Sequence, residues 1–323
     1  MTLQQNIKQN TINELIQLEN IFSVAKDIKT ITIQATNIAR EGIKILTEII
    51  KQKFQSIQEL EIFFTTSCKM LSEARETEPM LFNLKYCKQK YYEKLTRTKN
   101  IKKLQDTIYQ AAKNYVDEIQ KEEKVRPIIE KLIKSGFNIM THCHSSVIKI
   151  LTTARNNHKK IHVYNTETRP LYQRKTSKDL VQAVPNTMIT DSSAPFFTDN
   201  IHESHVYIDM VIISDAIKLN NIYNKISFSI SLAARHSKIP VYIVSLLKID
   251  IENKVKIEIR DGKELRKDRP QLEIINYAFD MVPAKFITII TEFGIIKPKD
   301  LKKAVKKYCP WMLKYQKNQK TRN

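Results

Sequence analysis

Apolar positions along the chain follow two different periods. From about Thr11 to Lys134 they recur at three and four, as in Ile43, Ile45, Leu46, Ile49 and Ile50 or Leu104, Ile108, Ala111, Ala112 and Tyr115, with Lys, Glu and Gln between them. That spacing gathers the apolar side chains on one stripe of an α-helix, and the residues between them are good helix formers. After Gly136 the pattern changes to short β-branched runs at Phe137 to Thr141, Ile161 to Asn165, Asn186 to Thr190, Asp209 to Ser214 and Val241 to Leu246. Between these runs, Val147 to Asn157, Thr176 to Val184 and Ile226 to Ser237 have the length and period of crossover helices. Such alternation predicts a mostly parallel sheet covered by helices. The chain therefore reads as α/β, with a helical N-terminal domain over residues 1–130 and a Rossmann-like domain over residues 131–323. No internal repeat or low-complexity linker marks the boundary, which is a change of pattern.

Composition adds limits. The 323 residues are 42% hydrophobic, enough to build a sizeable core. No run approaches the roughly 18 to 20 apolar residues of a membrane span, and the opening MTLQQNIKQN lacks the apolar stretch of a secretory signal, so the cytoplasm is the expected compartment. Cys68, Cys87, Cys143 and Cys309 stand far apart with no CxxC pair, which suggests neither a disulfide framework nor a zinc module. A net charge of +20, from 54 Lys+Arg against 34 Asp+Glu, favours anions such as phosphorylated metabolites or nucleic acid. Lys, Ile and Asn are abundant throughout, however, so most of the lysines read as solvated surface. The densest basic stretch runs from Lys297 through Lys302, Lys303, Lys306 and Lys307 to Arg322, with only Asp300 opposing it. Arginine and aromatic interleaving is thin there, and nucleic acid is not the expected partner. With four glycines in the chain there is no Gly-rich phosphate loop and no dinucleotide fingerprint.

In open parallel sheets, ligands collect beyond the carboxyl ends of the strands. The first run ends in Thr141-His142-Cys143-His144-Ser145-Ser146, after which a helix begins. A thiol in that strand-to-helix loop meets the positive end of a helix dipole, which lowers its pKa and stabilises thiolate. Ser145 and Ser146 add donors for an anion such as phosphate. The alternatives are that Cys143 is a small buried hydrophobe, or that His142 and His144 bind a metal, which the opposite faces of neighbouring extended residues make awkward. The fourth run ends in Ser214-Asp215. An acid directly after an apolar strand is partly desolvated and suited to hold a proton near neutral pH, or else it caps a turn from Ala216 to Asn221. Asn224 and Lys225 then open the next helix and offer an amide and an ammonium for phosphate.

These residues fall in five ordered blocks: THCHSS (141–146), TETRPLYQRK (166–175), ITDSSA (189–194), SDAIKLNNIYNKIS (214–227) and NYAFDMVPAKFITIITEFGIIKP (276–298). The blocks resemble the family of archaeal ribose-1,5-bisphosphate isomerase, methylthioribose-1-phosphate isomerase and the regulatory alpha subunit of translation initiation factor 2B. The resemblance covers about residues 20 to 316, and THCHS is closer to the bisphosphate isomerase than to the initiation-factor subunit, which lacks the catalytic-type Cys and Asp. It implies Cys143 as proton acceptor and Asp215 as proton donor, with Ser145, Ser146, Asn224, Lys225 and Lys248 as substrate contacts. It further implies a phosphorylated sugar as substrate, no metal or redox cofactor, a nucleotide activator, and a homo-oligomer, either dimer or hexamer.

Two departures bear on activity. Where the isomerases carry an Arg-Gly-Ala type loop for one phosphate, this chain has Ile33-Gln34-Ala35-Thr36-Asn37. Their Thr-Arg-Pro is here Thr77-Glu78-Pro79, which exchanges attraction for repulsion on the order of 1 to 4 kcal/mol each way. Two classes of function follow: a sugar-phosphate isomerase, resting on Cys143 and Asp215, and a non-catalytic regulatory subunit, resting on Glu78 and the missing Arg-Gly.

Overall fold

The computed structural model describes residues 35–74, 81, 84–120, 124–142, 145–169, 180–199, 206–214, 216–218, 221–224, 227–244, 249–250, 257, 259–266 and 271–310. The chain divides into two compact units between Ile119 and Gln120. No helix among the described residues is long and apolar enough to cross a membrane.

The first unit is built from helices α1 (Ala35–Ile50), α2 (Ile57–Ala74), α3 (Lys85–Leu95) and α4 (Ile101–Gln120). The three-and-four spacing does what it predicts. Helix α1 buries Ala39, Ile43, Leu46 and Ile50, while α4 buries Leu104, Ile108, Ala111, Ala112 and Tyr115. Helix α2 contributes Leu60, Phe64 and Leu71 to the interior, where the Phe64 ring lies 5.3 Å from that of Tyr91 on α3. Gly42 allows a close approach: a Cβ there would stand 3.0 Å from Leu81 Cδ2. Polar caps close the helix ends. Ser56 Oγ accepts the Glu59 N–H at 3.1 Å while Glu59 Oε2 accepts the Gln55 N–H at 2.5 Å, a variant of the capping box. The Gln105 amide donates to the Ile50 and Gln52 carbonyls at the end of α1, at 2.6 and 2.7 Å.

The second unit begins with α5 (Arg126–Leu132), which has a proline in its first turn, and continues with β1 (Asn138–Thr141), α6 (Ser145–Asn156), β2 (His162–Thr166), β3 (Asn186–Ile189), α7 (Ala194–Thr198) and β4 (Met210–Ser214). There follow β5 (Ala216–Lys218), β6 (Asn221–Asn224), α8 (Ser227–His236), β7 (Val241–Val244), β8 (Ile249–Asp250), β9 (Ile259–Arg260) and β10 (Asn276–Tyr277). The last elements are β11 (Asp280–Pro283), β12 (Thr288–Thr291), β13 (Gly294–Ile296) and α9 (Leu301–Tyr308).

Seven strands form the main sheet in the order β13-β12-β7-β4-β1-β2-β3. All neighbours are parallel except β12 and β13, which are joined as a hairpin with Gly294 at φ 115°. Met210, Val211, Ile212 and Ile213 of β4 are all buried, the near-continuous apolar run required of a strand covered on both faces. The α/β reading of the sequence thus holds, with a mostly parallel sheet and helices around it. Of the crossover helix expected from Thr176 to Val184, residues 176–179 lie outside the described residues, and from Leu180 on the chain makes a turn, with the Ala183 and Val184 N–H groups donating to the Leu180 carbonyl at 2.8 and 2.9 Å.

One local reading is corrected. The segment after β4, where a turn from Ala216 to Asn221 was the alternative role for Asp215 and Asn224 was expected to open a helix, supplies two strands of a smaller sheet ordered β11-β6-β5-β8. Ile217 pairs with Ile222, and Asn224 closes β6 opposite Asp280 of β11, while helix α8, Ser227–His236, matches the crossover helix expected from Ile226 to Ser237 within one residue at each end. The physical reason is partnership across the chain. Ile217, Ile222 and Tyr223 are good strand formers, and β8 and β11, distant in sequence, supply the hydrogen bonds that two short runs lack alone.

Candidate active site

The strand order reverses direction at β1. Strands β2 and β3 build outward on one side and β4, β7 and β12 on the other, which makes the β1–β4 boundary the switch point where open α/β sheets form their ligand crevice. Ile139 pairs with Met210 and Met140 with Val211, so the two strands run side by side toward a common carboxyl edge.

That edge is polar and buried at once. Thr141 and His142, at the end of β1, are 0% and 2% exposed. The His142 Nδ1 lies 2.5 Å from the hydroxyl of Thr166, which ends β2. Thr168, two residues on, places its own hydroxyl 3.3 Å from that of Thr166 and donates to the His142 carbonyl at 3.4 Å. These contacts tie the exit of β1 to the exit of β2, and their burial makes each partner costly to remove.

A carboxylate from the next strand end fixes the loop. Thr168 has φ 57°, a left-handed conformation that costs a non-glycine residue roughly 1 to 2 kcal/mol. Asp191, which follows β3, accepts the Thr168 N–H at 2.9 Å through one oxygen and the Arg169 N–H at 2.8 Å through the other. Hydrogen bonds to an ionised group contribute about 1.5 to 3 kcal/mol each, enough to offset the strained backbone. Arg169 is left with an exposed guanidinium 3.6 Å from Glu167. The sequence reading gave Asp191 no role. Its signal was the Asp-Ser-Ser turn directly after a strand, inside the ITDSSA block, but the loop it clamps is 22 residues away.

Of the residues expected to carry chemistry, Cys143, Asp215, Lys225 and Lys248 lie outside the described residues, as do Glu78 and His144. Ser145 and Ser146 are the first two residues of α6, as the sequence suggested for a helix following the THCH segment. Asn224 is the last residue of β6.

A second carboxylate stands opposite Asn224. Asp280 of β11 pairs with it across the small sheet, and its Oδ2 accepts the Phe228 N–H at 3.0 Å in the first turn of α8. Oδ1 is buried with no hydrogen-bond partner among the described residues. Burial pushes the carboxyl up to about 6, against the opposing pull of the hydrogen bond from Phe228. Asp280 also escaped the sequence reading, although it sits in the block NYAFDMVP. The thiols of the helical unit are of a different kind: burial pushes Cys68 up to about 12 and Cys87 well above the ordinary thiol range, so neither is a nucleophile at neutral pH. Among the described residues no group of three or more His, Cys, Asp or Glu side chains could hold a metal ion.

Known proteins agree with this architecture. A ribose 1,5-bisphosphate isomerase from Pyrococcus furiosus is 33% identical, across 92% of this chain and 97% of its own. A methylthioribose-1-phosphate isomerase from Acetivibrio thermocellus is 28% identical, across 88% of this chain and 90% of its own. Among solved structures, the translation initiation factor eIF-2B of Pyrococcus horikoshii matches with a TM-score of 0.74, over 88% of this chain and 99% of its own, a likeness of fold at 21% identity. The initiation factor 2 subunit family, IF-2B, matches residues 33–298. A switch-point sheet with a polar carboxyl edge, the ordered sequence blocks and a match over most of the chain lead to one conclusion: the protein belongs to the initiation factor 2 subunit family.

Proposed function

We propose that this protein is a sugar-phosphate isomerase that converts ribose 1,5-bisphosphate to ribulose 1,5-bisphosphate. The observation that carries the reading is the parallel pairing of β1 with β4 at the switch point. In sequence, Cys143 comes two residues after the end of β1 and Asp215 directly after the end of β4, and neighbouring strands lie only about 4.8 Å apart. The relatives named as isomerases support the same reading.

The chemistry is proton transfer. Asp215, as a neutral acid, protonates the ring oxygen as the C1–O bond of the sugar opens. The Cys143 thiolate removes the proton from C2, which leaves a C1–C2 enol. Delivery of a proton to C1 and loss of the C2 hydroxyl proton give the ketose. One positioned acid or base of this kind contributes roughly 10²- to 10⁴-fold. Ser145 and Ser146 at the N-terminus of α6, with Asn224, Lys225 and Lys248, hold the phosphates. Purified protein supplied with ribose 1,5-bisphosphate or methylthioribose 1-phosphate decides the substrate: ribulose 1,5-bisphosphate is expected from the first and no ketose from the second. Turnover of the second alone would replace the substrate assignment while keeping the isomerase.

A second reading, a non-catalytic regulatory subunit, is favoured by Glu78 and by the stretch Ile33 to Asn37 in place of an Arg-Gly-Ala loop. Glu78→Arg separates the two, because it tightens bisphosphate binding in an isomerase whose pocket contains that side chain. We also propose a homo-oligomer of at least two copies. Ile259 and Tyr277, paired across β9 and β10, are both more than half exposed, as are Leu272 and Ile275, and apolar surface of that kind is buried by association. A single monomeric species in light scattering at micromolar concentration would remove this part.

A further inference from the structure

The amino edge of the main sheet carries a concavity of its own. Strand β12 begins at Thr288 and runs parallel to β7, while β13 returns antiparallel so that Ile296 pairs with Ile289. Residues 283–285, 287–288 and 297–299 line a hollow of about 610 Å³ that is wide open to solvent. A four-residue strand spans about 13 Å, which separates the hollow from the carboxyl edge where β1 and β4 end.

Floor and rim differ in character. Ala284 and Ile287 are buried beneath the hollow, with Pro283 and Pro298 half-buried beside them. Lys285, Lys297 and Lys299 are exposed around it. Among the described residues no carboxylate forms an ion pair with any of the three. The same charge continues along α9, where Lys302, Lys303, Lys306 and Lys307 are all exposed and Asp300 alone opposes them. The basic stretch singled out in the sequence therefore begins at the mouth of an apolar hollow.

We propose that this hollow is a binding site for a small phosphomonoester with an apolar body, separate from the isomerase site. Ammonium groups are compact point charges that bind phosphate, and several of them around one opening repel each other until an anion arrives. The apolar floor gains only from a ligand that buries hydrocarbon, which inorganic phosphate does not. Phe286, next to the lining, is partly buried and its ring already engages Arg235 at 4.8 Å and Lys285 at 5.4 Å, so it is not left open to stack on the bases of single-stranded nucleic acid. A volume of this size accommodates one small organic molecule.

The test uses the full chain and phenyl phosphate, with inorganic phosphate as the comparison, in calorimetry at about 150 mM salt. Phenyl phosphate is expected to bind at least about tenfold more tightly than inorganic phosphate. The combined variant Lys285→Gln, Lys297→Gln, Lys299→Gln should lose about tenfold or more of that affinity, and turnover of ribose 1,5-bisphosphate at low phosphate should stay within about twofold of wild type. Lys225→Gln, which alters a proposed substrate contact, should leave the same phenyl phosphate event in place. Equal affinity in wild type and the triple variant, or no binding up to millimolar phenyl phosphate, would overturn the proposal. A single-stranded RNA that binds the wild type, loses affinity in the triple variant and is not displaced by phenyl phosphate would overturn it too, in favour of a nucleic-acid surface.

Discussion

Burial acts differently on the polar groups of the helical unit and of the carboxyl edge of the main sheet. In the helices, Cys68, Cys87 and Tyr91 sit among apolar side chains, and burial drives all three toward their neutral, unreactive forms. At the carboxyl edge of the sheet, His142, Thr166 and Thr168 are just as buried, but each finds a hydroxyl or carbonyl partner from a neighbouring strand end. The difference lies in geometry. Helix faces meet through side chains alone, whereas parallel strands deliver successive loop starts to one edge, where polar groups from distant parts of the sequence converge. Chemistry belongs where burial and partners coincide.

The sharpest test of this contrast is thiol reactivity. At about pH 8 a thiol with a pKa of about 12 is thiolate at a level on the order of 10⁻⁴, against about a quarter for an ordinary thiol, a gap on the order of 10³. Native protein treated with iodoacetamide should leave Cys68 and Cys87 unmodified, while urea should expose both. Labelling of Cys68 at the same rate before and after unfolding would break the comparison.

Next in size is the clamp. Asp191→Ala frees the Thr168 and Arg169 amides, and misplacement of an active-site loop by about 1 Å costs up to about 10²-fold. Turnover relative to KM should fall by about 10- to 100-fold, and Asp191→Asn, which keeps one acceptor oxygen, should fall less. Unchanged kinetics in Asp191→Ala would remove this edge from the site.

How much of this was legible in the sequence depends on range. The helices of the first unit, α6 and α8, and strands β1, β2, β3, β4 and β7 were readable because apolar period and β-branched runs are local signals. The capping box at Ser56 and Glu59 is a local signal too, but the sequence analysis did not single it out. Strands β5 and β6 were not readable, because Ile217 and Ile222 become strand residues only when β8 and β11 arrive. Asp191 and Asp280 were missed for the same reason: each acts on a backbone amide, of Arg169 and of Phe228, that sequence spacing does not bring near. Strand β12 hides in an Ile-Thr-Ile-Ile-Thr run that the sequence reading took only as part of a family block.

Asp280 supplies a smaller, pH-dependent effect. Its carboxyl is raised from 3.8 to about 6 in the fold, so between about pH 4 and 6 the folded chain holds a proton that the unfolded chain has released. Stability is therefore lost as pH rises through that window, by on the order of 1 to 2 kcal/mol after discounting for partial exposure. In Asp280→Asn the loss is absent. Urea midpoints at about pH 4.5 and 7 should show the variant gaining on wild type as pH rises, and a constant or shrinking difference would contradict the assignment. Smallest of all is Ser56→Ala, which removes one cap of α2 and should cost about 1 kcal/mol of stability with turnover unchanged, checked by thermal unfolding and a single-substrate assay.

The central claim, that the β1 and β4 ends bring an acid and a base to one sugar phosphate, is tested most directly by turnover of ribose 1,5-bisphosphate in wild type, Cys143→Ser and Asp215→Asn, with circular dichroism as the check on folding. A serine hydroxyl is too weak an acid to stand in for a thiolate, and an amide cannot donate the proton a neutral carboxyl gives. The account expects ribulose 1,5-bisphosphate from wild type and a loss of at least about 10²-fold in each folded variant. No product from wild type, even with Arg at position 78, or undiminished turnover in either variant would contradict it.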